Sequence, residues 1–190
     1  MQRRIGLTGS IASGKSSVGK LLMPRGWPVL DADHFARQLL EPGTVSTQAV
    51  LQRHPSVRRE HNSIDRAALG QIVFADASER EWLNGLIHPQ VRRCFERSLG
   101  EHEDAPTIVL MIPLLFEAEL TDLCSEIWIV DCDEEQQLER LMLRNELTRD
   151  DAQARIAAQW PLSQKRELAD VLIDNRGTER DLEKQLRLLS

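Results

Sequence analysis

The chain has 190 residues and a mass of 21.7 kDa, which suits one domain with a substantial insertion better than two independent domains. Apolar residues make up 41% of the chain, an ordinary globular proportion that excludes wholesale disorder and collagen-like repeats. The formal net charge of −6 disfavours broad electrostatic binding to nucleic acid or anionic lipid, so an anionic ligand would need a local positive site.

The apolar segments are short. The longest run, Ile108 to Phe116, is interrupted by Pro113, whereas a membrane-spanning helix needs about 20 apolar residues, and the N-terminal apolar stretch is too short for a signal peptide. The three cysteines, Cys94, Cys124 and Cys132, are not spaced as C-x-x-C and indicate neither a disulfide framework nor a zinc site. We therefore expect a cytoplasmic protein that binds neither nucleic acid nor membrane.

The chain begins with a predicted strand, loop and helix. Arg3 to Thr8 is a short apolar strand that runs into a glycine-bearing loop, and Lys15 to Met23 favours a helix. A second strand, Pro28 to Leu30, ends at Asp31, and a helical pattern opens at Asp33.

The region from Thr44 to Gly100 has helical signals and little strand signal. Three local features predict helix starts: Asp65 as the cap of Arg66 to Phe74, Ser78 and Glu81 as a capping box, and Pro89 in the first turn of a helix over Gln90 to Leu99. This stretch is predicted to be a helical insertion.

Strands return in the second half and alternate with helices. The predicted strands are Thr107 to Ile112, Glu126 to Val130 and Val171 to Ile173. The predicted helices are Glu134 to Arg144 capped by Asp133, a helix through Ala158 capped by Thr148 and Asp151, and Glu179 to Leu189. This alternation predicts one doubly wound α/β domain.

The segment Gly9-Ser10-Ile11-Ala12-Ser13-Gly14-Lys15-Ser16 matches G-x-x-x-x-G-K-[ST], the phosphate-binding P-loop, between a strand and a helix. Its glycines would let backbone N–H groups from Ala12 to Ser16 converge on a phosphate, aided by the positive end of the helix. An exposed Lys15 would reach the β- and γ-phosphates of ATP, and the Ser16 hydroxyl would ligate Mg²⁺.

The motif alone leaves the class of nucleotide-binding protein open. A guanine-binding switch needs an N-K-x-D segment, and the sequence has no N-K pair. Asp174 to Gly177 matches D-x-x-G but follows the last predicted strand, where it could not act as the second switch. A kinase or another nucleotide-dependent ATPase remains.

Two carboxylates and a group of arginines could complete a kinase site. Asp31 and Asp33 follow the second strand, at the edge where ligands gather in open α/β sheets, and are candidates for acid–base work and metal binding. The alternative for Asp33 is a helix cap. Arg140 and Arg144 share a helix face, followed by Arg149 and Arg155, and could neutralise a transferring phosphoryl group. A solvated charged face is the alternative for each arginine.

These pieces together resemble the dephospho-CoA kinase family over nearly the whole chain. The resemblance rests on the P-loop followed in order by Asp31-Ala32-Asp33 with Ala36-Arg37, His88-Pro89-x-Val91, Pro113-Leu114-Leu115-Phe116-Glu117, Ala169-Asp170 and Ile173-Asp174-Asn175. It implies MgATP-dependent phosphorylation of the ribose 3′-hydroxyl of dephospho-CoA, the last step of coenzyme A synthesis.

The resemblance also implies an architecture: a P-loop NTPase fold with three layers and a five-stranded parallel sheet. The core would comprise about 1–35, 105–140 and 165–190, with a helical acceptor-binding insertion over about 36–104 and a lid over about 141–164. The resemblance implies nothing about the oligomeric state. The remaining alternatives are another small-molecule P-loop kinase, for a nucleoside or nucleoside monophosphate, and a non-kinase nucleotide switch or ATPase.

Site residues follow from the resemblance by position. Asp33 matches the general base, and Lys15 and Arg140 would act with it in catalysis. The nucleotide would contact Gly9, Ala12, Ser13, Gly14, Lys15, Ser16, Ser17, Arg144 and Asn175. Ser16 and Asp31 would hold Mg²⁺. The acceptor would contact Asp33, His88, Pro113, Leu115 and Phe116, although a loop or cap role for His88, and core roles for Leu115 and Phe116, are the alternatives.

The sequence departs from the family pattern at three places. The family usually has glycine at Ser10 and threonine at Ser17, and the segment His54 to Asn62 is shorter and more polar than the corresponding family segment.

Overall fold

The computed structural model describes residues 2–189, and its five strands form one parallel sheet in the order β2-β3-β1-β4-β5. The strands are β1 (Arg3–Thr8), β2 (Val29–Asp31), β3 (Thr107–Met111), β4 (Glu126–Asp131) and β5 (Val171–Asp174). All neighbouring pairs are parallel, so the carboxyl ends of all five strands lie at one edge of the sheet. The predicted α/β class and five-stranded parallel sheet are confirmed.

Nine α-helices are described: α1 (Lys15–Leu22), α2 (Ala32–Leu39), α3 (Val45–Arg53), α4 (Arg66–Ala75), α5 (Ala77–Glu101), α6 (Glu134–Asn145), α7 (Arg149–Ala157), α8 (Leu162–Arg166) and α9 (Glu179–Leu188). Backbone contacts divide the chain into two compact units. A sheet unit runs to Asp31 and resumes at Gly100, and a helical unit spans Ala32–Leu99.

The sheet unit is built on β1, its central strand. Ile5 and Leu7 of β1 are fully buried, as are Val109 in β3 and Trp128 in β4. In β3 the consecutive residues Ile108, Val109 and Leu110 are all fully buried, so both faces of the strand are covered, which explains its continuous apolar sequence. Helices α1 and α9 add buried leucines and Val18 to the same cluster.

The helical unit has a core of its own, formed by Val50, Leu51, Val57, Ile64, Leu69 and Val73. The Asp65 carboxylate caps α4 by accepting hydrogen bonds from the backbone N–H groups of Ala67 and Ala68, both at 3.1 Å. These bonds, with the Arg59 guanidinium, hold the pKa of Asp65 below its ordinary value. The predicted cap is confirmed.

Helix α5 departs from the prediction, because it continues through Pro89 instead of starting there. Pro89 cannot donate to the carbonyl of Gly85, four residues earlier, and a proline ring also crowds that carbonyl; together these effects cost about 3 kcal/mol in a helix interior. Ile87, Val91 and Phe95 are buried along one face on both sides of the proline. Their burial stabilises the continuous helix.

Two other predicted caps differ from the structure. Helix α5 begins beside Asp76, whose carboxylate accepts from the backbone N–H of Ser78 at 2.8 Å, so the predicted Ser78 capping box is wrong. Asp133 has the extended backbone of an N-cap before α6, but its side chain makes no capping hydrogen bond among the described residues. Thr148 does cap α7, as predicted, by accepting from the backbone N–H of Asp151.

Within the described range, no helix is long and apolar enough to cross a membrane.

Candidate active site

The phosphate-binding loop lies between β1, which ends at Thr8, and α1, which begins at Lys15. Gly9 has φ 146° and Gly14 has φ 103°, values that side chains rarely adopt. A Cβ at Gly9 would also lie 2.7 Å from the carbonyl oxygen of Val130. Ala12, at φ 59°, is left-handed without being glycine, so its neighbours must hold it there.

Lys15 is folded over the loop that precedes it. Its ammonium donates to the carbonyl oxygens of Gly9 at 2.9 Å and Ser10 at 2.8 Å, and the residue is only 8% exposed. The expectation of an exposed lysine is therefore wrong. The hydrogen bonds hold the positive charge at the loop, where a nucleotide phosphate would need it.

Three of the four serines in residues 9–17 were predicted to contact the nucleotide, and these three differ in exposure. Ser16 and Ser17, in the first turn of α1, are exposed, so their hydroxyls are accessible at the positive end of the helix. Ser13 is fully buried, and its Oγ has no hydrogen-bond partner among the described residues. Ser13 could therefore contribute to phosphate binding through its backbone, while its side chain packs beneath Gly9.

Asn175 supports the loop from the end of β5. Its side-chain Nδ2 donates to the carbonyl oxygen of Ser13 at 2.7 Å, and a Cβ at Gly14 would clash with the same nitrogen. Arg140, on α6, donates from Nη2 to the carbonyl oxygen of Asn175 at 3.1 Å. Two predicted nucleotide-site residues are thus joined to the P-loop in one hydrogen-bonded chain.

Three aspartates end strands at the carboxyl edge of the sheet: Asp31 in β2, Asp131 in β4 and Asp174 in β5. Arg166 donates to one oxygen of Asp131 at 2.9 and 2.6 Å. Arg176 hydrogen-bonds the Asp174 carboxylate and lowers its pKa to about 2.

Magnesium chemistry fits the predicted oxygen ligands. Mg²⁺ is usually bound by one or two protein oxygens together with phosphates and water, and Asp31 and Ser16 supply a carboxylate and an accessible hydroxyl. Residues 2–189 contain no group of three or more His, Cys, Asp or Glu side chains that could hold a metal by itself. Any Mg²⁺ here would need the nucleotide as a co-ligand.

The predicted acceptor residues fall in both compact units. Asp33 lies in the first turn of α2 and His88 is half-buried in α5, both in the helical unit. In the sheet unit, the carbonyl oxygen of Pro113 accepts from Thr8 Oγ1 at 3.3 Å. Leu115 is fully buried, which favours the core alternative for its side chain, and Phe116 is 9% exposed.

The other predicted arginines contact neighbouring side chains. Arg144 is exposed and donates from Nε to Asn145 Oδ1 at 2.8 Å. Arg149 pairs with both oxygens of Glu135, at 3.1 and 3.0 Å, which links α7 to α6. Their predicted contacts with the nucleotide remain predictions.

The structure also brings together Glu117, Trp160 and Lys165, none of which was a predicted site residue. The buried ammonium of Lys165 lies 2.8 Å from Glu117 Oε1, and the same oxygen accepts from the backbone N–H of Trp160 at 2.9 Å. The ring of Trp160 stacks on Phe116 with centroids 5.8 Å apart. Only Glu117 lies in a segment that carried the resemblance, and the position of its partners depends on the tertiary fold.

The central strand, the glycine loop, the lysine folded over it and the helix that begins there define a nucleotide-binding protein of the P-loop kinase class. A family model described as dephospho-CoA kinase matches residues 3–181. The chain belongs to the dephospho-CoA kinase family.

Individual proteins agree with this membership. A dephospho-CoA kinase of Synechococcus sp. (strain CC9605) is 63% identical over 178 residues, which cover 93% of this chain and 86% of the relative. A crystal structure from Thermus thermophilus is 35% identical, with TM-score 0.83 and coverage of 99% and 96%. The dephospho-CoA kinase from Campylobacter jejuni is 25% identical, with TM-score 0.70 and coverage of 100% and 98%.

Proposed function

We propose that this chain transfers the γ-phosphoryl group of ATP to the ribose 3′-hydroxyl of dephospho-CoA, giving coenzyme A. The observation that carries the proposal is the dephospho-CoA kinase family match over residues 3–181. The intact P-loop supports it, since the reaction requires a site for the ATP phosphates.

The loop would bind the β- and γ-phosphates. Backbone N–H groups from Ala12 to Ser16 would donate to phosphate oxygens, and Lys15 would neutralise the charge that develops on the transferring group. Asn175 and Arg140 would keep the loop in position, because they already join its Ser13 carbonyl to β5 and α6. Mg²⁺ would be held by Ser16 and Asp31 and would add positive charge at the phosphates.

Asp33 would orient the acceptor hydroxyl and accept its proton as the new O–P bond forms. A carboxylate suits this role, because it can accept a hydrogen bond from the hydroxyl before transfer and hold the proton afterwards. His88 and the segment Pro113 to Phe116 would contribute to acceptor binding, through the backbone where the side chain is buried.

The short apolar segments support the cytoplasm as the expected location.

Acceptor dependence tests the proposal. ADP formation by the purified chain would be followed with MgATP alone and with added dephospho-CoA, adenosine or AMP. We expect rapid ADP formation only with dephospho-CoA. Preference for adenosine or AMP would indicate another small-molecule kinase, and slow hydrolysis unaffected by any acceptor would indicate a nucleotide switch or ATPase; both results contradict the proposal.

A further inference from the structure

Two glutamine side chains hold the backbone on either side of Ile11, near the tip of the phosphate-binding loop. The N–H of Ile11 donates to Gln159 Oε1 at 2.8 Å, and Gln137 Nε2 donates to the carbonyl oxygen of Ile11 at 2.8 Å. Gln137 is 2% exposed in α6, and Gln159 lies just beyond the end of α7. A backbone N–H only donates and a carbonyl only accepts, so the orientation of both amide groups is defined.

Each bond orients a second group across a planar peptide. In a trans peptide the C=O and N–H point in opposite directions. Fixing the Ile11 carbonyl against Gln137 therefore also fixes the direction of the Ala12 N–H, the first of the proposed phosphate donors. Fixing the Ile11 N–H against Gln159 fixes the Ser10 carbonyl, which accepts from the Lys15 ammonium at 2.8 Å.

Apolar packing also places the loop against α6, which carries Gln137, and against α7, which precedes Gln159. Ile11 and Ala12 pack against a buried cluster formed by Leu138 and Leu141 of α6 and Ala152 of α7. Ala12 has the left-handed φ of 59°, which an alanine adopts only when its surroundings hold it there. The cluster and the two glutamines together provide such surroundings.

We propose that Gln137 and Gln159 are positioning residues for ATP. Gln137 aims the Ala12 N–H at the phosphates, and Gln159 places the Ser10 carbonyl that holds Lys15. Together they connect the phosphate-binding loop to the start of α6 and to the segment after α7. The inference rests on the proposed function in that ATP is the nucleotide that the loop positions.

The two sites require opposite hydrogen-bonding chemistry, which gives a test with a predicted sign. Gln159 acts as an acceptor, so a carboxylate of the same size can replace it, and Gln159→Glu should keep the bond. Gln137 acts as a donor, so Gln137→Glu loses the bond and places a carboxylate against a carbonyl oxygen. Gln153→Glu, at an exposed position on α7, is the matched control for the added negative charge.

Steady-state kinetics with ATP and dephospho-CoA give the first readout. We expect Gln159→Met and Gln137→Glu to lower kcat/KM for ATP by about tenfold or more, with the acceptor KM within about twofold of wild type. Gln159→Glu should stay within about threefold of Gln153→Glu. The inference is overturned if Gln159→Glu is as impaired as Gln159→Met, or if the losses fall equally on the acceptor.

Amide exchange gives a second readout, independent of turnover and of the acceptor. In wild-type protein labelled with ¹⁵N-isoleucine, the Ile11 N–H should be protected, and in Gln159→Met it should exchange at least about tenfold faster. Gln159→Glu should restore protection. Fast exchange in the wild-type protein would overturn the inference even if the variants failed to fold. If the protein used ATP with a different acceptor, the proposed function would fail while the exchange pattern and the loss in kcat/KM for ATP would remain.

Discussion

Single residues shape the phosphate-binding loop from outside the motif that identifies it. Lys15 is held by carbonyl oxygens of its own loop, whereas the Ser13 carbonyl is held by Asn175, 162 residues away in the chain. Gly14 is required at its position because Asn175 occupies the space of a side chain. The loop therefore depends on residues near both ends of the chain.

Lys15→Ala tests the role of the folded lysine. We expect phosphoryl transfer to fall by about 10²-fold or more, because the ammonium would no longer stabilise charge on the transferring phosphoryl group. Some loss of thermal stability is also expected, since the lysine is buried and makes two hydrogen bonds to the loop. Turnover and melting temperature would be measured beside Lys20→Ala, a control at an exposed position of α1. Normal turnover in Lys15→Ala would contradict the proposed phosphate site.

Asp33→Asn tests the assignment of the base. The amide can still hydrogen-bond the acceptor hydroxyl but cannot take its proton, so we expect turnover to fall by about 10²-fold while ATP affinity is kept. Turnover and ATP binding would be measured for Asp33→Asn and Asp31→Asn in parallel. If Asp31→Asn lost turnover but kept ATP binding, while Asp33→Asn kept near-normal turnover, the base would be Asp31 and the assignment of Asp33 would be wrong.

Among single residues, those with local sequence signals could be predicted, and those that depend on tertiary contacts could not. The spacing of Gly9, Gly14 and Lys15 is a motif because one short loop must enclose a phosphate. Gln137 and Gln159 contact Ile11 from 126 and 148 residues away, and no local pattern marks such a contact. The burial of Lys15 was missed for a different reason: its partners Gly9 and Ser10 are close in sequence, but the motif does not specify the backbone conformation that turns their carbonyl oxygens towards the ammonium.

Helices and strands agree with their sequence patterns at most positions. The predicted and observed bounds of β4 and α9 differ at one end by a single residue. An apolar run marks β4, and helical spacing of the buried leucines marks α9. Helix α5 is the main exception. Proline signals a helix start locally, but the burial of Ile87, Val91 and Phe95 along one face stabilises a helix that continues through Pro89. Tertiary packing outweighed the local preference.

Arg140 links α6 to the loop after β5, which gives a prediction for this element. Arg140→Lys should lower turnover by about tenfold or more, because one ammonium cannot replace a planar guanidinium that reaches the Asn175 carbonyl and would contact ATP. Arg144→Lys and Arg155→Lys would be compared with Arg180→Lys, a control at an exposed position of α9. Uniformly small effects would contradict the proposed contacts of Arg140 and Arg144 with the nucleotide.

Asp65 gives α4 a pH-dependent cap. Its pKa is lowered below the ordinary value of 3.8 in the folded chain, so its contribution to stability is present above about pH 4 and is lost as pH falls through the folded pKa. Asparagine can accept the same two N–H groups without titrating. Urea unfolding of Asp65→Asn should therefore lose less stability between about pH 4 and pH 2 than wild type. Asp104→Asn, at an exposed position, is the control, and equal pH dependence in all three proteins would contradict the assignment.

The whole molecule combines a sheet unit with a helical unit inserted after β2. In the sheet unit, parallel strands place the P-loop, Asp31 and the Asn175 loop at one edge, so residues far apart in the chain lie at the proposed nucleotide site. The α/β class could be predicted from the alternation of strands and helices. The helical unit gave few functional signals, because its apolar pattern specifies a core and leaves the acceptor contacts undefined.

The position of the transferred phosphate is the most direct test of the proposed phosphorylation of the ribose 3′-hydroxyl of dephospho-CoA. The purified chain would be incubated with MgATP and either dephospho-CoA or its 3′-deoxy analogue, with ADP quantified and the product examined by ³¹P and ¹H NMR. We expect one ADP for each coenzyme A formed, phosphate on the ribose 3′-oxygen, and no transfer to the 3′-deoxy analogue. Phosphorylation of the analogue, or ADP formation that continues equally without any acceptor, would contradict the proposal.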